Sequence, residues 1–298
     1  MANLMKVHLF RVHGLTPTMR LELVLAEVSR MSLEERVIFV GQHQMRIESV
    51  LAPRRSGNRT AYWLLDLVKL RFENGPGKVS REEALKGFEL NDDEGFGELT
   101  SALYDPATGY ILIQYNHHGP RAGAIAQYFT HICPHLQCAF EFHVCLDETA
   151  EARLASKSII KKLHYKVAPF QISGAMRSGN VSLDRSLDLN DNLGGQSIEV
   201  IISAGKGSLR TNAAREMINS LMDLLTGGTS KEQSALETFK VYAKEDYDDA
   251  TDEINLISSK MELSIDGLQM GSDHMYTVAS RWLGLQRARN GWDDVVTK

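Results

Sequence analysis

Six side chains able to ligate a metal fall between positions 131 and 145: His131, Cys133, His135, Cys138, His143 and Cys145. Zinc takes paired ligands at spacings such as C-x₂₋₄-C with a distant second pair. Cys133 and Cys138 stand as C-x₄-C, and His143 and Cys145, two apart in a β-prone run, share a face. Their chemistry would be metal-assisted hydrolysis. Their apolar setting points the other way, because cysteines among apolar residues ordinarily serve as small core side chains. The turn at 203–208, between a strand and a helix, could offer backbone N–H groups to a phosphate. It lacks the G-x-x-x-x-G-K-[ST] spacing, and Arg210 stands where G-x-G-x-x-G needs its third glycine, so it reads as a turn and helix cap. Asp92, Asp93 and Glu94, and the six acids in 245–253, lack the residue order of a calcium loop. His117 and His118 beside Arg121 have no carboxylate that the sequence places near them and read as an exposed polar turn. With no serine nucleophile elbow and no HExxH, no residue is assigned a catalytic role and no cofactor is called for.

Charge is distributed more tellingly. The net charge is −5 and the pI near 6.1, which gives no global attraction to nucleic acid. Yet 152–183 contains no acid and carries Arg153, Lys157, Lys161, Lys162, Lys166 and Arg177. A second acid-free span, 200–214, adds Lys206 and Arg210, and the loop at 54–59 adds Arg54, Arg55 and Arg59. If these segments converge they make a basic surface suited to a phosphate backbone; if not, they are solvated faces. Nothing resembles a base-reading helix, so the binding expected is weakly sequence-specific.

The elements that must position these residues follow from periodicity. Residues 6–12 alternate as a strand, and Leu21, Val24, Leu25, Val28 and Met31 recur at helical spacing after Thr16. The β-prone runs 44–51 and 60–72 flank the arginine loop. The runs 98–104 and 110–116, joined through Asp105-Pro106-Ala107-Thr108-Gly109, make a central hairpin followed by a helix at 122–129 packed back on it. A weak helix is expected from Ser80. Further on, strands are expected at 139–146, 159–167, 197–203, 239–244 and 254–265. In 159–167, Leu163, Tyr165 and Val167 fall on one side and Lys162, His164 and Lys166 on the other. Residues 183–195 read as a loop. Ala214, Met217, Ile218, Leu221, Leu224 and Leu225 form a clean stripe on a helix closed by Gly227 and Gly228, and Ser272 is expected to cap a last helix running to about Arg289.

The fold class expected is α+β: two lobes, mainly antiparallel sheets each covered by helices, at 1–133 and 139–298. With 43% hydrophobic residues the chain can bury a real core. No stretch approaches the roughly 18 apolar residues of a membrane span. The first residues lack a signal-peptide h-region and the three cysteines make no disulfide framework, so a soluble, cytoplasmic protein is expected.

Asp92-Asp93-Glu94-Gly95-Phe96-Gly97, the turn through 105–109, the corner Gly119-Pro120 before a helix, and the order of elements through 140–167 are similar to the RexA family of the lambda phage exclusion system. The resemblance covers most of the chain and implies a cytoplasmic, homodimeric antiviral defence protein, not an enzyme. Such a protein would sense phage DNA by binding double-stranded DNA without strong sequence preference and would act with a membrane effector in abortive infection. On this reading Lys161, Lys162, Lys166, Lys206 and Arg210 contact DNA, and Arg54, Arg55 and Arg59 clamp it from the other lobe. Two alternatives stay open: a metal-dependent hydrolase using the 131–145 cluster, and a protein-interaction module whose acidic 245–253 loop meets a basic partner.

Overall fold

The computed structural model describes residues 4–16, 18–53, 62–73, 75–177, 181–227, 232, 235–257 and 259–297. The fold is α+β, with two antiparallel sheets and helices against them. The chain divides into two compact units, Met1–His8 with Val12–Glu141 and Leu263–Lys298, and Leu9–Arg11 with Phe142–Glu262. The expected contiguous split at 1–133 and 139–298 is therefore not the observed one, since the last segment belongs with the first unit.

The larger sheet takes β1 (Met5–Gly14), β2 (Ile38–Val40), β3 (His43–Leu51), β4 (Trp63–Arg71), β5 (Phe96–Asp105), β6 (Tyr110–Gln114), β7 (Phe140–Val144) and β12 (Glu262–Ile265). Its order is β12-β1-β6-β5-β4-β3-β2, with β7 beside β1. The β5–β6 hairpin pairs Asp105 with Tyr110, and Gly109 takes φ +75°, the left-handed conformation that glycine adopts without steric cost. In β4 the residues from Trp63 to Val68 are all buried, which explains an apolar run where a half-exposed strand would alternate. Helix α1 (Leu21–Val28) buries Leu21, Val24, Leu25 and Val28, the stripe expected. Helix α2 (Ala122–His131) lies against β2: Tyr128 donates its hydroxyl to the Arg36 carbonyl at 2.7 Å and accepts from the Ile47 amide at 3.2 Å.

The smaller sheet, in the second unit, has the order β11-β10-β8-β9, all antiparallel, from β8 (Ile159–Val167), β9 (Ile198–Ser203), β10 (Leu236–Lys244) and β11 (Asp252–Asn255). Ahead of β8 comes α3 (Glu148–Ser156), whose N-cap Asp147 accepts the Thr149 amide. The sequence reading passed over it. Between β8 and β9 lie α4 (Gly174–Arg177) and α5 (Val181–Asn192), and between β9 and β10 lies α6 (Thr211–Thr226). Helices α5 and α6 pack together on one face of the sheet, α6 through the six buried residues of its predicted stripe.

Four expectations fail locally. Residues 183–195 are mostly helix, because Leu183 and Leu187, one turn apart, find a core to fill and Asn190 holds the Gly195 carbonyl at 2.6 Å. No helix follows Ser80. Its hydroxyl accepts the Glu82 and Glu83 amides, but Val79 and Leu85 remain exposed and bury no helix face, and Lys78 instead bridges Lys86. The run 254–265 is two strands, β11 and β12. The helix expected from Ser272, α7 (Val278–Gly291), starts at the Thr277 cap, five residues after Ser272, because a turn closed by the Met270–Tyr276 bridge intervenes. It is followed by α8 (Asp293–Val296).

Helix α7 has a core-facing stripe of Arg281, Gly284, Leu285, Ala288 and Arg289. A Cβ on Gly284 would come 2.7 Å from the terminal methyl of Met5 and 3.2 Å from Leu268, so glycine lets α7 approach β1 without displacing either side chain. The two arginines meet carboxylates of the larger sheet. Arg281 reaches Asp66 of β4 at 2.9 Å and the Ser101 hydroxyl at 2.8 Å, while that hydroxyl donates to Asp66. Arg289 reaches Asp105 at 2.7 Å and Asp293 at 2.8 Å.

Candidate nucleic-acid interface

Strand β8 alternates as its sequence demands: Leu163, Tyr165 and Val167 are buried under the helices, and Lys162, His164 and Lys166 occupy the opposite face. The neighbouring strands set what that face contains. Register places Lys240 of β10 beside His164 and Tyr242 beside Lys162. On the other flank, Glu199 of β9 lies beside Lys166 and Ile201 beside His164. Lys161 donates its ammonium to the carbonyls of Lys206 and Gly207, tying β8 to the turn that leads into α6. Arg210 stands exposed at the α6 N-terminus. The second unit thus gathers five of the predicted bases, Lys161, Lys162, Lys166, Lys206 and Arg210, and adds Lys240, which the sequence reading did not single out. Arg54, Arg55 and Arg59 lie outside the described residues.

The face is not purely basic. Lys166 pairs with Glu237 at 2.5 Å, His164 with Glu199 at 2.7 Å, and Lys240 with Glu253 at 2.8 Å. The Lys162 ammonium sits 4.5 Å from the Tyr242 ring centroid. Hydrogen bonding from Glu237 holds the Lys166 ammonium above the usual lysine range. Lys240 is raised likewise by Glu253, whose own carboxyl is lowered by Lys240 and then by Tyr242. An acid-free span of sequence is not an acid-free surface, because Glu199, Glu237 and Glu253 arrive from β9, β10 and β11. Exposed ion pairs are weak and salt-screened, so a phosphate can compete for these lysines.

The remaining bases of the first acid-free span are held locally. Arg177 pairs with Asp191 at 2.8 Å, Arg153 with Asp252 at 2.5 Å, and Lys157 with Asp252 at 3.4 Å. These contacts, with Lys240 on Glu253, also neutralise one end of the acidic 245–253 loop, leaving a smaller acidic surface than its composition promised.

The 131–145 cluster does not assemble. Among the described residues no three His, Cys, Asp or Glu side chains come together to hold a metal. Cys133 and Cys138 are buried in the first unit, while His143 and Cys145 belong to the second. Burial raises the Cys133 thiol above its ordinary pKa and pushes Cys145 up to about 12. A raised thiol pKa keeps sulfur protonated at pH 8, and only the thiolate reacts. Cys145 in the native protein is therefore expected to alkylate slower than an unhindered cysteine by on the order of a thousandfold at pH 8. Thiol titration before and after unfolding checks this; three fast native thiols would contradict it.

A cleft of about 310 Å³ in the first unit is lined by Gln114, Asn116, His274, Tyr276 and Arg281 among others. Its polar groups hold the fold: Gln114 accepts the Ser101 amide at 3.2 Å and Asn116 donates to the Leu99 carbonyl at 2.7 Å. Among the described residues no helix is long and apolar enough to cross a membrane.

The model of a family described as a family of unknown function, DUF6731, matches residues 16–274, and the chain belongs to that family. No curated protein matches the chain.

Proposed function

We propose that this member of DUF6731 is a RexA-like, cytoplasmic phage-defence protein that contacts the backbone of double-stranded DNA through the face of its smaller sheet opposite α5 and α6. The observation that carries the reading is the row of Lys162, His164, Lys166 and Lys240 on two adjacent strands, on the face opposite α5 and α6. Lys206 and Arg210, in the turn from β9 to α6, are the further bases assigned to the contact. A flat sheet face carrying cations meets phosphates without reading base edges, so the binding is sequence-tolerant. Homodimerisation and a membrane effector enter from the RexA resemblance.

The test is a salt series with a fluorescent random-sequence duplex. Three or four phosphate contacts give a slope of log K against log salt of about −3 to −4. Lys162→Glu with Lys166→Glu abolishes measurable binding on this reading. Glu237→Gln with Glu253→Gln, which frees Lys166 and Lys240, tightens it. An absence of binding by wild type at low salt overturns the proposal; unchanged binding by the lysine variant relocates the surface away from β8.

A further inference from the structure

Strand β9, Ile198–Ser203, ends the smaller sheet, and among the described residues no strand pairs with its far edge. Natural edge strands are blunted by lysine, proline, a bulge or extreme shortness. β9 reads Ile-Glu-Val-Ile-Ile-Ser, has neither lysine nor proline, and pairs with β8 without a register shift. Ile201 and Ile202 are 56% and 39% exposed. Helix α5, which lies against β9, exposes Leu189, and Leu193 just after it is exposed as well.

The hydrogen-bond parity of the edge can be read off. The Ala204 amide donates to the Lys161 carbonyl, so in this antiparallel ladder residues 198, 200, 202 and 204 turn their backbone groups toward β8. The backbone N–H and C=O of Glu199, Ile201 and Ser203 consequently face outward.

We infer that β9 pairs with β9 of a second copy of this chain, antiparallel across a twofold axis at Ile201, joining the two small sheets into one eight-stranded sheet. This register sets Ile201 against Ile201 of the second copy, Val200 against Ile202 and Glu199 against Ser203. Apolar residues meet apolar ones and the glutamates stay apart. A one-residue shift of the axis to 200 would set Glu199 against Ile201, and a shift to 199 would oppose the two glutamates. Across the axis, Lys166, Glu199, then Ser203 and Lys162 of the second copy form one cross-strand row, so each Glu199 faces a hydroxyl and not a like charge. Such an isologous contact closes on itself and stops at two copies.

The inference is tested without DNA, so its outcome is independent of the nucleic-acid reading. Sedimentation equilibrium of the full chain at micromolar concentration is expected to give twice the 33.3 kDa chain mass. Ile201→Lys is expected to give the single-chain mass with an unchanged circular dichroism spectrum, since neither its side chain nor its N–H holds the fold. Ile201→Cys is expected to oxidise to a covalent dimer, because Cα atoms of a hydrogen-bonded antiparallel pair lie about 5.5 Å apart, within disulfide reach. Val200→Cys, opposite Ile202, is expected not to crosslink. A wild-type chain at the single-chain mass, an Ile201→Lys dimer, or crosslinking through position 200 in place of 201 would each overturn the inference.

Discussion

Arg281→Leu is expected to destabilise the first unit by about 3–5 kcal/mol, the cost of breaking a buried ion pair by removing one partner. Asp66 is 1% exposed and Arg281 4%, and the guanidinium gives the carboxylate its charge partner. Without it, Asp66 keeps the Ser101 hydroxyl alone, which cannot offset the desolvation of a carboxylate. The loss corresponds to a fall in melting temperature on the order of 10 °C. Trp63, Trp282 and Trp292 all lie in the first unit, so guanidinium unfolding followed by tryptophan fluorescence reports it. The matched triple change, Asp66→Leu, Ser101→Ala and Arg281→Met, is expected to recover much of the loss, because removing both charges leaves neither buried alone. A single-variant loss below about 1 kcal/mol, the range of an exposed pair, would show that solvent reaches the pair.

Leu221→Ala is expected to cost about 2–5 kcal/mol, the range for a large-to-small change in a packed core. Leu221 is 0% exposed at the middle of the α6 stripe, and Met217, Ile218, Leu224 and Leu225 on the same stripe are buried too. The cavity left under the helix cannot close without moving α6 off the smaller sheet. Asn219→Ala, on the exposed side of the same helix, is the comparison and should change stability by no more than about 0.5 kcal/mol. Denaturation followed by circular dichroism measures both; equal effects at 219 and 221 would deny the packing described.

Much of the scaffold around the candidate interface was legible because its patterns are local. The alternation of β8, the hairpin around Gly109 and the α6 stripe each depend on neighbours within a turn or two, and each is found where the periodicity put it. Helix α5 was missed because asparagine and aspartate favour turns, a preference overridden once Leu183 and Leu187 have a core to enter. The start of α7 was missed for a related reason. Its buried stripe begins and ends with arginine, which reads as surface until Asp66 and Asp105 are seen waiting in β4 and β5.

By itself the sequence determined most of the strands, the apolar stripes of α1 and α6, and that lysines occupy one face of β8. Only the tertiary structure decided what those lysines face. Asp66 and Arg281 are separated by 215 positions, and His164 and Glu199 by 35. Periodicity is a property of contiguous residues, but charge pairing is a property of strand order and register. Glu199, Glu237 and Glu253 could therefore reach the lysine face only when β9, β10 and β11 took their places beside it, and the same strand order put β9 at the end of the sheet.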